Sequence, residues 1–254
     1  MTTSAATRGT AVITGASSGI GAATARALGA AGFPLLLGAR RADRLAEVAA
    51  GIPGVDVRTR RVDVTDSASV EEFAAGVTSC EVLVCNAGGA LGLDPVEKWD
   101  EEKWRWMYEA NVLSLPRTIN AFLPALRASG DGRIVVITSV AGHQTYVGGG
   151  GYTGAKHAAA AVVDTVRLEL LGEPVRVIEI APGLVNTEFS TVRFSGDVDR
   201  ADAVYDGMTP LTGEDVADVV TWAVTRPAHV SVARLDLFPR DQATARDVHR
   251  RPAD

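Results

Sequence analysis

Cysteine and long hydrophobic runs are scarce in this sequence of 254 residues. The two cysteines, Cys80 and Cys85, flank one apolar run, so a disulfide framework is excluded and a reducing compartment is expected. No eighteen consecutive residues are apolar, and the N-terminal MTTSAATRGT lacks the apolar segment of a signal peptide. These absences predict a soluble cytoplasmic protein with no membrane partner.

Basic charge is also limited. The chain has 25 basic and 31 acidic residues, a formal net charge of −6, and no basic run beyond single Arg-Arg steps. A nucleic-acid partner is therefore excluded, and no metal site is predicted. Apolar residues at 46% and charged residues at 22% are ordinary for a globular protein with a substantial core.

Short apolar runs alternate with alanine-rich stretches of helical period. The runs cover residues 10–14, 34–39, 55–62, 81–85, 132–138, 174–180 and 232–238. The helices are predicted near 19–31, 41–50, 67–76, 100–128, 152–171 and 213–225. Strand followed by helix, repeated with short connections, predicts an α/β fold with a doubly wound parallel sheet of about seven strands and helices on both faces.

No linker or repeat divides the chain, so residues 1–254 are predicted to form one domain. The segment 184–210 interrupts the rhythm directly after a strand, where open α/β sheets bind ligands, and is predicted to be a substrate lid. The polar tail 239–254 is expected on the surface or against a neighbouring subunit.

The first strand runs into TGASSGIG, which contains Gly15, Gly19 and Gly21. Glycines between a strand and a helix let the backbone approach a pyrophosphate at the helix N-terminus, which predicts a dinucleotide site. Close packing of helix on strand is the alternative explanation. The second strand ends in GARRADRL, with Ala39 where an acidic residue would select NAD, followed by Arg40 and Arg41. Guanidinium groups suit the 2′-phosphate of NADP, although two solvated arginines opening a helix are the alternative.

The stretch GGGGYTGAK places Tyr152 and Lys156 four residues apart on one helical face. A free tyrosine has a pKa of about 10, and a nearby ammonium favours its phenolate form. The pair could thus act as a general acid/base, or be purely structural.

The motifs TGASSGIG at 14–21, CNAG at 85–88 and YTGAK at 152–156 occur together with Asn111, Ser139 and the Pro-Gly pair at 182–183. In order and spacing they resemble the short-chain dehydrogenase/reductase family, in its NADP-preferring single-domain branch with a Rossmann-type fold. Ser139 precedes Tyr152 by thirteen residues, as in the family. CNAG departs from the commoner N-N-A-G, with Cys85 in place of a mainly structural asparagine.

The resemblance implies four catalytic residues. Tyr152 would exchange the proton with the substrate oxygen, and Ser139 would hydrogen-bond that oxygen. Lys156 would bind the nicotinamide ribose and lower the pKa of Tyr152. Asn111 would hold a relay water and bend its helix. The implied contacts of NADP(H) are Gly15, Ser17, Ser18, Gly19, Ile20, Gly21, Arg40, Arg41, Asp63, Val64, Asn86, Ala87, Gly88, Tyr152, Lys156, Pro182, Gly183, Val185 and Thr187.

The segment TEFSTVRFSGD at 187–197 resembles a subgroup acting on 3-hydroxy acids and serine. By that resemblance Arg193 would bind a substrate carboxylate, with a lid salt bridge or a subunit contact as alternatives. His143, together with Ser139 and Tyr152, is expected to contact substrate. The glycines 148–151 either widen the pocket mouth or make the loop mobile.

Together these features imply an NADP(H)-dependent oxidoreductase that interconverts a carbonyl and a secondary alcohol, with a short hydroxy acid as the small-molecule substrate. A ketoreductase of secondary metabolism acting on a polyketide-like ketone stays open, as does a non-catalytic NADP(H)-sensing protein. Intact Tyr152 and Lys156 disfavour the sensor. In the family, the helices corresponding to 100–128 and 152–171 pack across a dimer axis, so a homodimer or homotetramer is implied.

Overall fold

The computed structural model of the protein describes residues 8–252, so residues 1–7 and 253–254 of the predicted domain and tail lie outside the described part. Seven strands form one sheet in the order β3-β2-β1-β4-β5-β6-β7, and every neighbouring pair is parallel. The strands are β1 Ala11–Thr14, β2 Leu35–Ala39, β3 Val57–Arg61, β4 Val82–Cys85, β5 Gly132–Ile137, β6 Val175–Pro182 and β7 Arg234–Leu237. The predicted fold class is confirmed.

Helices cover both faces of the sheet. They are α1 Gly19–Ala30, α2 Ala42–Ala50, α3 Ser67–Ala74, α4 Glu101–Tyr108, α5 Ser114–Ala128, α6 Gly150–Glu169, α7 Glu188–Arg193, α8 Val198–Asp202 and α9 Gly213–Val224. Among the helices that the structure describes, none combines the length and the apolarity needed to cross a membrane.

The continuous apolar runs follow from burial on both faces. Successive residues of a strand point to opposite faces, and Ile13 packs into one core while its neighbour Val12 packs into the other. Both cores contain residues of β1, β2, β4, β5 and β6, so these strands have no water-facing side. The edge strand β3 is different: it reads VRTRR and is partly exposed, which discourages pairing with another chain.

The predicted helix 100–128 is divided in the structure. A π-helical turn, Glu109–Leu113, separates α4 from α5 and contains Asn111. Pro116 follows closely and has no N–H with which to continue the α-helical ladder to Val112. Such turns inside α-helices are frequent at functional sites.

The tail does not lie entirely on the surface, which corrects one expectation. Gln242 and Ala245 are buried, and Gln242 pairs with Val248 in an isolated antiparallel bridge. The segment 184–210 contains the short helices α7 and α8, and Val185 forms a parallel bridge with Leu211. Tail and lid segment thus both return to the carboxyl end of β6.

Candidate active site

A cavity of about 450 Å³ opens at the carboxyl ends of the central strands. The strand order reverses between β1 and β4, and open α/β sheets bind ligands at such a switch point. The cavity brings together all the predicted site residues except three. Gly21, Asn111 and His143 do not line it.

The glycine-rich turn forms one end of the cavity. Gly15 and Gly19 have φ angles of 67° and 51°, a region that favours glycine. A Cβ atom at Gly21 would lie 2.6 Å from Asn86 Nδ2, so this glycine lets the turn pack closely rather than contacting the cavity. Asn86 Nδ2 donates to the carbonyl oxygens of Thr14 and Gly15 at 3.1 and 3.2 Å, which ties the turn to β4.

The N-terminus of α1 opens into this end of the cavity. No side chain caps it, since the Ser18 hydroxyl makes no hydrogen bond to the first turn. The first N–H groups of a helix have no partner within the helix and carry partial positive charge. Ser17, Ser18, Gly19 and Ile20 all line the cavity here, so the site is suited to an anion.

Two arginines follow β2 beside the turn. Arg41 Nη2 donates to Ser18 Oγ and to Glu188 Oε2, both at 2.8 Å, and the hydrogen bond from Arg41 lowers the pKa of Glu188. Arg40 lines the cavity near Asp63. Burial would raise the pKa of Asp63, but hydrogen bonds from Thr65 and the positive charge of Arg40 lower it overall. The glycine-rich turn has no basic residue of its own, and Arg41, which follows β2, supplies one.

Tyr152 and Lys156 are both buried in the floor of the cavity, at 8% and 7% exposure. Burial raises the pKa of Tyr152, as does Tyr146, whereas a hydrogen bond with Ser139 and the charge of Arg193 lower it. Lys156 Nζ lies 5.8 Å from the Tyr152 ring centroid and donates to the Ile137 carbonyl oxygen at 3.1 Å. Burial lowers the pKa of Lys156 to about 8, against the attraction of Glu179. Arg193, whose Cζ lies 5.6 Å from the Tyr152 ring centroid, is thus a further cation that favours the Tyr152 phenolate.

Asn111 lies behind the cavity wall. Its Nδ2 donates to the carbonyl oxygens of Met107 and Gly89 at 2.7 and 2.9 Å, and its Oδ1 accepts from the Gly89 N–H at 3.1 Å. Asn111 thus fixes the backbone beside Gly88 and satisfies the π-helical turn in which it sits. The helix changes from α-helical to π-helical geometry around Asn111, the residue that was predicted to bend it.

His143, which was predicted to contact substrate, does not line the cavity. Its Nε2 lies 2.8 Å from Glu179 Oε1, and its Nδ1 lies 3.4 Å from Arg234 Nη1. Glu179 is 1% exposed and also accepts from Thr138 Oγ1. A buried carboxylate requires such partners, and this requirement turns the histidine toward β6 and β7.

Arg193 lies at the other end of the cavity, near Tyr152. Its Nε donates to the Gly92 carbonyl oxygen at 3.0 Å and its Nη2 to the Tyr146 hydroxyl at 3.1 Å. Its Cζ is 5.6 Å from the Tyr152 ring centroid. The predicted lid salt bridge of Arg193 is not seen among residues 8–252; the side chain is held by neutral acceptors instead.

The model of the family described as short chain dehydrogenase matches residues 9–197. The chain belongs to the short-chain dehydrogenase family. The predicted family is therefore confirmed, and the protein is an oxidoreductase by descent.

Other short-chain dehydrogenases resemble this one over nearly their whole length. An uncharacterized oxidoreductase of Mycobacterium tuberculosis is 54% identical over 245 residues, which cover 96% of each chain. An NADP-dependent 3-hydroxy acid dehydrogenase of Schizosaccharomyces pombe is 38% identical, covering 96% of this chain and 97% of the other. The closed form of a serine dehydrogenase complexed with NADP⁺ is 36% identical with a TM-score of 0.89, covering 95% of this chain and 100% of that one.

Several residues at this short-chain dehydrogenase's cavity were not predicted from the sequence. They are Trp106, Phe189, Tyr205, Ala245 and Arg246. Phe189 stacks edge-on against Tyr152 with ring centroids 5.5 Å apart. Because Thr187 was a predicted contact of NADP(H), the sequence could have indicated that Phe189, two residues later, also lies at the cavity. Ala245 and Arg246 lie in a polar tail, where nothing local indicates a cavity.

Proposed function

We propose that this short-chain dehydrogenase is an NADP(H)-dependent enzyme that interconverts a carbonyl and a secondary alcohol in a short hydroxy acid. The observation that carries the proposal is one cavity with two chemically distinct ends. Tyr152, Ser139 and Arg193 line one end, and the glycine-rich turn with Arg40 and Arg41 lines the other. An acid/base and an anion-binding turn in one cavity are what a reaction with a dinucleotide requires.

The residues present fit NADP(H). An uncapped helix N-terminus suits a pyrophosphate, and Arg40 and Arg41 suit a 2′-phosphate. Asp63 and Val64, the expected adenine contacts, line the cavity, as do Pro182, Gly183, Val185 and Thr187. The NADP named with the 3-hydroxy acid dehydrogenase and the serine dehydrogenase supports the same cofactor here.

Bound NADPH would supply the hydride for the carbonyl carbon. Tyr152 would give its phenolic proton to the carbonyl oxygen, so that one hydride and one proton would convert the carbonyl to an alcohol. Burial keeps this phenol protonated, which suits the acid role. Ser139 orients the same oxygen, and its own Oγ is held by the Ala141 N–H at 3.1 Å. In the reverse direction the phenolate accepts the alcohol proton.

Lys156 and Asn111 are proposed to support this proton transfer. Lys156 would bind the ribose hydroxyls and help return a proton to Tyr152, and its lowered pKa of about 8 lets the amine both donate and accept near neutrality. Asn111 would take part in the relay beside it while keeping the backbone at Gly89 in place.

Replacing Tyr152 with phenylalanine tests the proposal, because it removes only the hydroxyl. We expect Tyr152→Phe to lower kcat about 10²- to 10⁴-fold for reduction of methyl 3-oxobutanoate and for oxidation of 3-hydroxybutanoate. The Kd of NADPH, measured by fluorescence titration, should stay within twofold of wild type. NADH in place of NADPH should lower kcat/KM at least tenfold.

The matched control is Tyr108→Phe, a tyrosine on α4 that does not line the cavity. Its kcat should equal that of the wild type. Turnover by Tyr152→Phe at the wild-type rate would contradict the assignment. If wild-type enzyme reduced only large neutral ketones, the ketoreductase function would be favoured instead.

A further inference from the structure

The C-terminal tail is fastened to the cavity wall at two points. Gln242 is 5% exposed, and its Oε1 accepts from the Leu184 N–H at 2.8 Å. Any side chain at Gly183 would collide with this amide, so the contact depends on glycine there. Three residues later, the Ala245 N–H donates to Gln144 Oε1 at 2.6 Å. The backbone next to Arg246 is therefore held in a defined place.

This anchoring brings a second guanidinium to the substrate end of the cavity. Arg246 lines the cavity, and its Cζ lies 4.2 Å from the Tyr146 ring centroid. Arg193 Cζ lies 5.6 Å from the same centroid. The Tyr146 ring is thus contacted by two guanidinium groups, that of Arg193 from α7 and that of Arg246 from the tail.

The two positive charges are not neutralised by the protein. Within residues 8–252 the Arg246 guanidinium has no hydrogen-bond or ion-pair partner, and Arg193 donates only to uncharged oxygens. The carboxylates that line the cavity are Asp63 and Glu188, and Glu188 is paired with Arg41. Burial lowers the pKa of Arg246, and repulsion from Arg193 lowers it further. Two adjacent cations in a partly enclosed site favour the binding of an anion.

We propose that Arg193 and Arg246 together bind the anionic group of the substrate, a carboxylate or a sulfonate, and that Arg246 determines specificity for acids. This inference rests on the proposed function, because it concerns the substrate of the same site. Arg193 lies close to Tyr152. In a short acid the carbonyl carbon is only a few bonds from the carboxylate, so an acid held by this pair would have its carbonyl near the Tyr152 phenol. Planar guanidinium groups bind such oxyanions through paired hydrogen bonds.

The test compares 3-hydroxybutanoate, its methyl ester and 2-hydroxypropane-1-sulfonate as substrates with NADP⁺. For Arg246→Gln we expect kcat/KM to fall 10- to 100-fold on the acid, mainly through KM, and to change less than twofold on the ester. Arg246→Lys keeps a cation and should recover part of the loss. The sulfonate arm distinguishes the two oxyanions: a larger kcat/KM on sulfonate than on carboxylate would identify a sulfonate site.

The matched control is Arg240→Gln, because Arg240 lies in the same tail but its side chain is 87% exposed and does not line the cavity. It should leave all three substrates unaffected. An equal loss on acid and ester in Arg246→Gln, or no loss on either, would overturn the inference. Turnover of the ester but not of the acid by wild type would overturn it together with the hydroxy-acid substrate, while leaving the NADP(H)-dependent interconversion of carbonyl and alcohol intact.

Binding measurements separate this inference from the proposed function. In Tyr152→Phe with NADP⁺, isothermal titration with 3-hydroxybutanoate should show binding that Arg246→Gln weakens about tenfold or more. This binding result is expected even if the wild-type enzyme turns over none of the substrates. Binding without turnover would refute only the proposed function. Equal affinity with and without Arg246 would refute the two-arginine site.

Discussion

Burial acts in opposite directions on the two titratable side chains of the proposed catalytic pair. It raises the pKa of the Tyr152 phenol and lowers that of the Lys156 ammonium to about 8, because both groups are pushed toward their neutral forms. Nearby charges only partly compensate: Arg193 favours the phenolate, and Glu179 favours the ammonium. At the residue scale, the protein therefore holds a neutral acid beside an amine whose pKa of about 8 is close to neutrality.

The lowered pKa of Lys156 predicts a pH-dependent stability. Between about pH 8 and the ordinary lysine value of 10.5, the unfolded chain binds a proton that the folded chain has lost. The free energy of unfolding should therefore rise with pH across this window, by about 3 kcal/mol for this group. Urea unfolding at pH 7 to 11 should show this rise as a difference between wild type and Lys156→Met.

Lys98→Met provides the control, since Lys98 is exposed. The difference between its stability and that of wild type should not change with pH. Parallel pH curves for wild type and Lys156→Met would mean that the amine keeps its ordinary pKa in the folded protein.

At the scale of elements, the glycines before Tyr152 allow close packing of the segment that leads into α6. A Cβ at Gly149 would lie 2.5 Å from Tyr146 Cδ2, and one at Gly151 would lie 2.9 Å from Trp104 Nε1. Gly148 has a φ of 75° and packs against Leu93. The absence of side chains in this run lets aromatic residues approach the start of α6.

Gly149→Ala should therefore destabilise the protein. The added methyl group collides with the Tyr146 ring, and overpacking of this kind costs about 1–3 kcal/mol of unfolding free energy. The displaced ring should also loosen Arg193, so KM for the acid substrate should rise. Gly51→Ala is the control, because its nearest neighbour would be 3.5 Å away and its φ is −82°. We expect thermal or urea unfolding to show a change below about 0.5 kcal/mol for the control; equal effects of the two substitutions would contradict the packing argument.

At the scale of the whole molecule, the single domain, the lid at 184–210 and the assembly stay predictions. All seven strands belong to one sheet, and the segment 184–210 contributes Arg193 and Phe189 to the cavity, which supports the first two. The exposed face of α6 includes Ala161 and the 75% exposed Leu168, as expected of a helix that packs against a second copy.

Ala161→Arg should disrupt such an assembly, since a charged side chain would be buried at the centre of the predicted dimer face. Light scattering after size exclusion should give a homodimer or homotetramer for wild type and a smaller species for the variant. Ala46→Arg, at an exposed position on α2, should leave the mass unchanged. A monomeric wild type would refute the predicted assembly.

Local patterns identified most of the fold and of the cavity. Each predicted strand occurs within about two residues of its run. For β1, β2, β4, β5 and β6 the reason is burial on both faces, which leaves a continuous apolar stretch that is visible in the sequence. The turn around Gly15 and the residues Ser139, Tyr152 and Lys156 lie in one cavity because each follows or faces the carboxyl end of a strand. The break at Asn111 was predicted only through the family resemblance.

What the sequence by itself determined is the α/β order, the glycine-rich turn and the Tyr152–Lys156 pair on one helical face, since each depends on residues close together in the chain. Tertiary structure alone decided the hydrogen-bond partners of His143 and the place of Arg246 at the cavity. These depend on contacts between distant segments: a buried Glu179 needs a partner, and two amide side chains anchor the tail. Such contacts follow from the satisfaction of buried polar groups in three dimensions, which leaves no periodic pattern in the sequence.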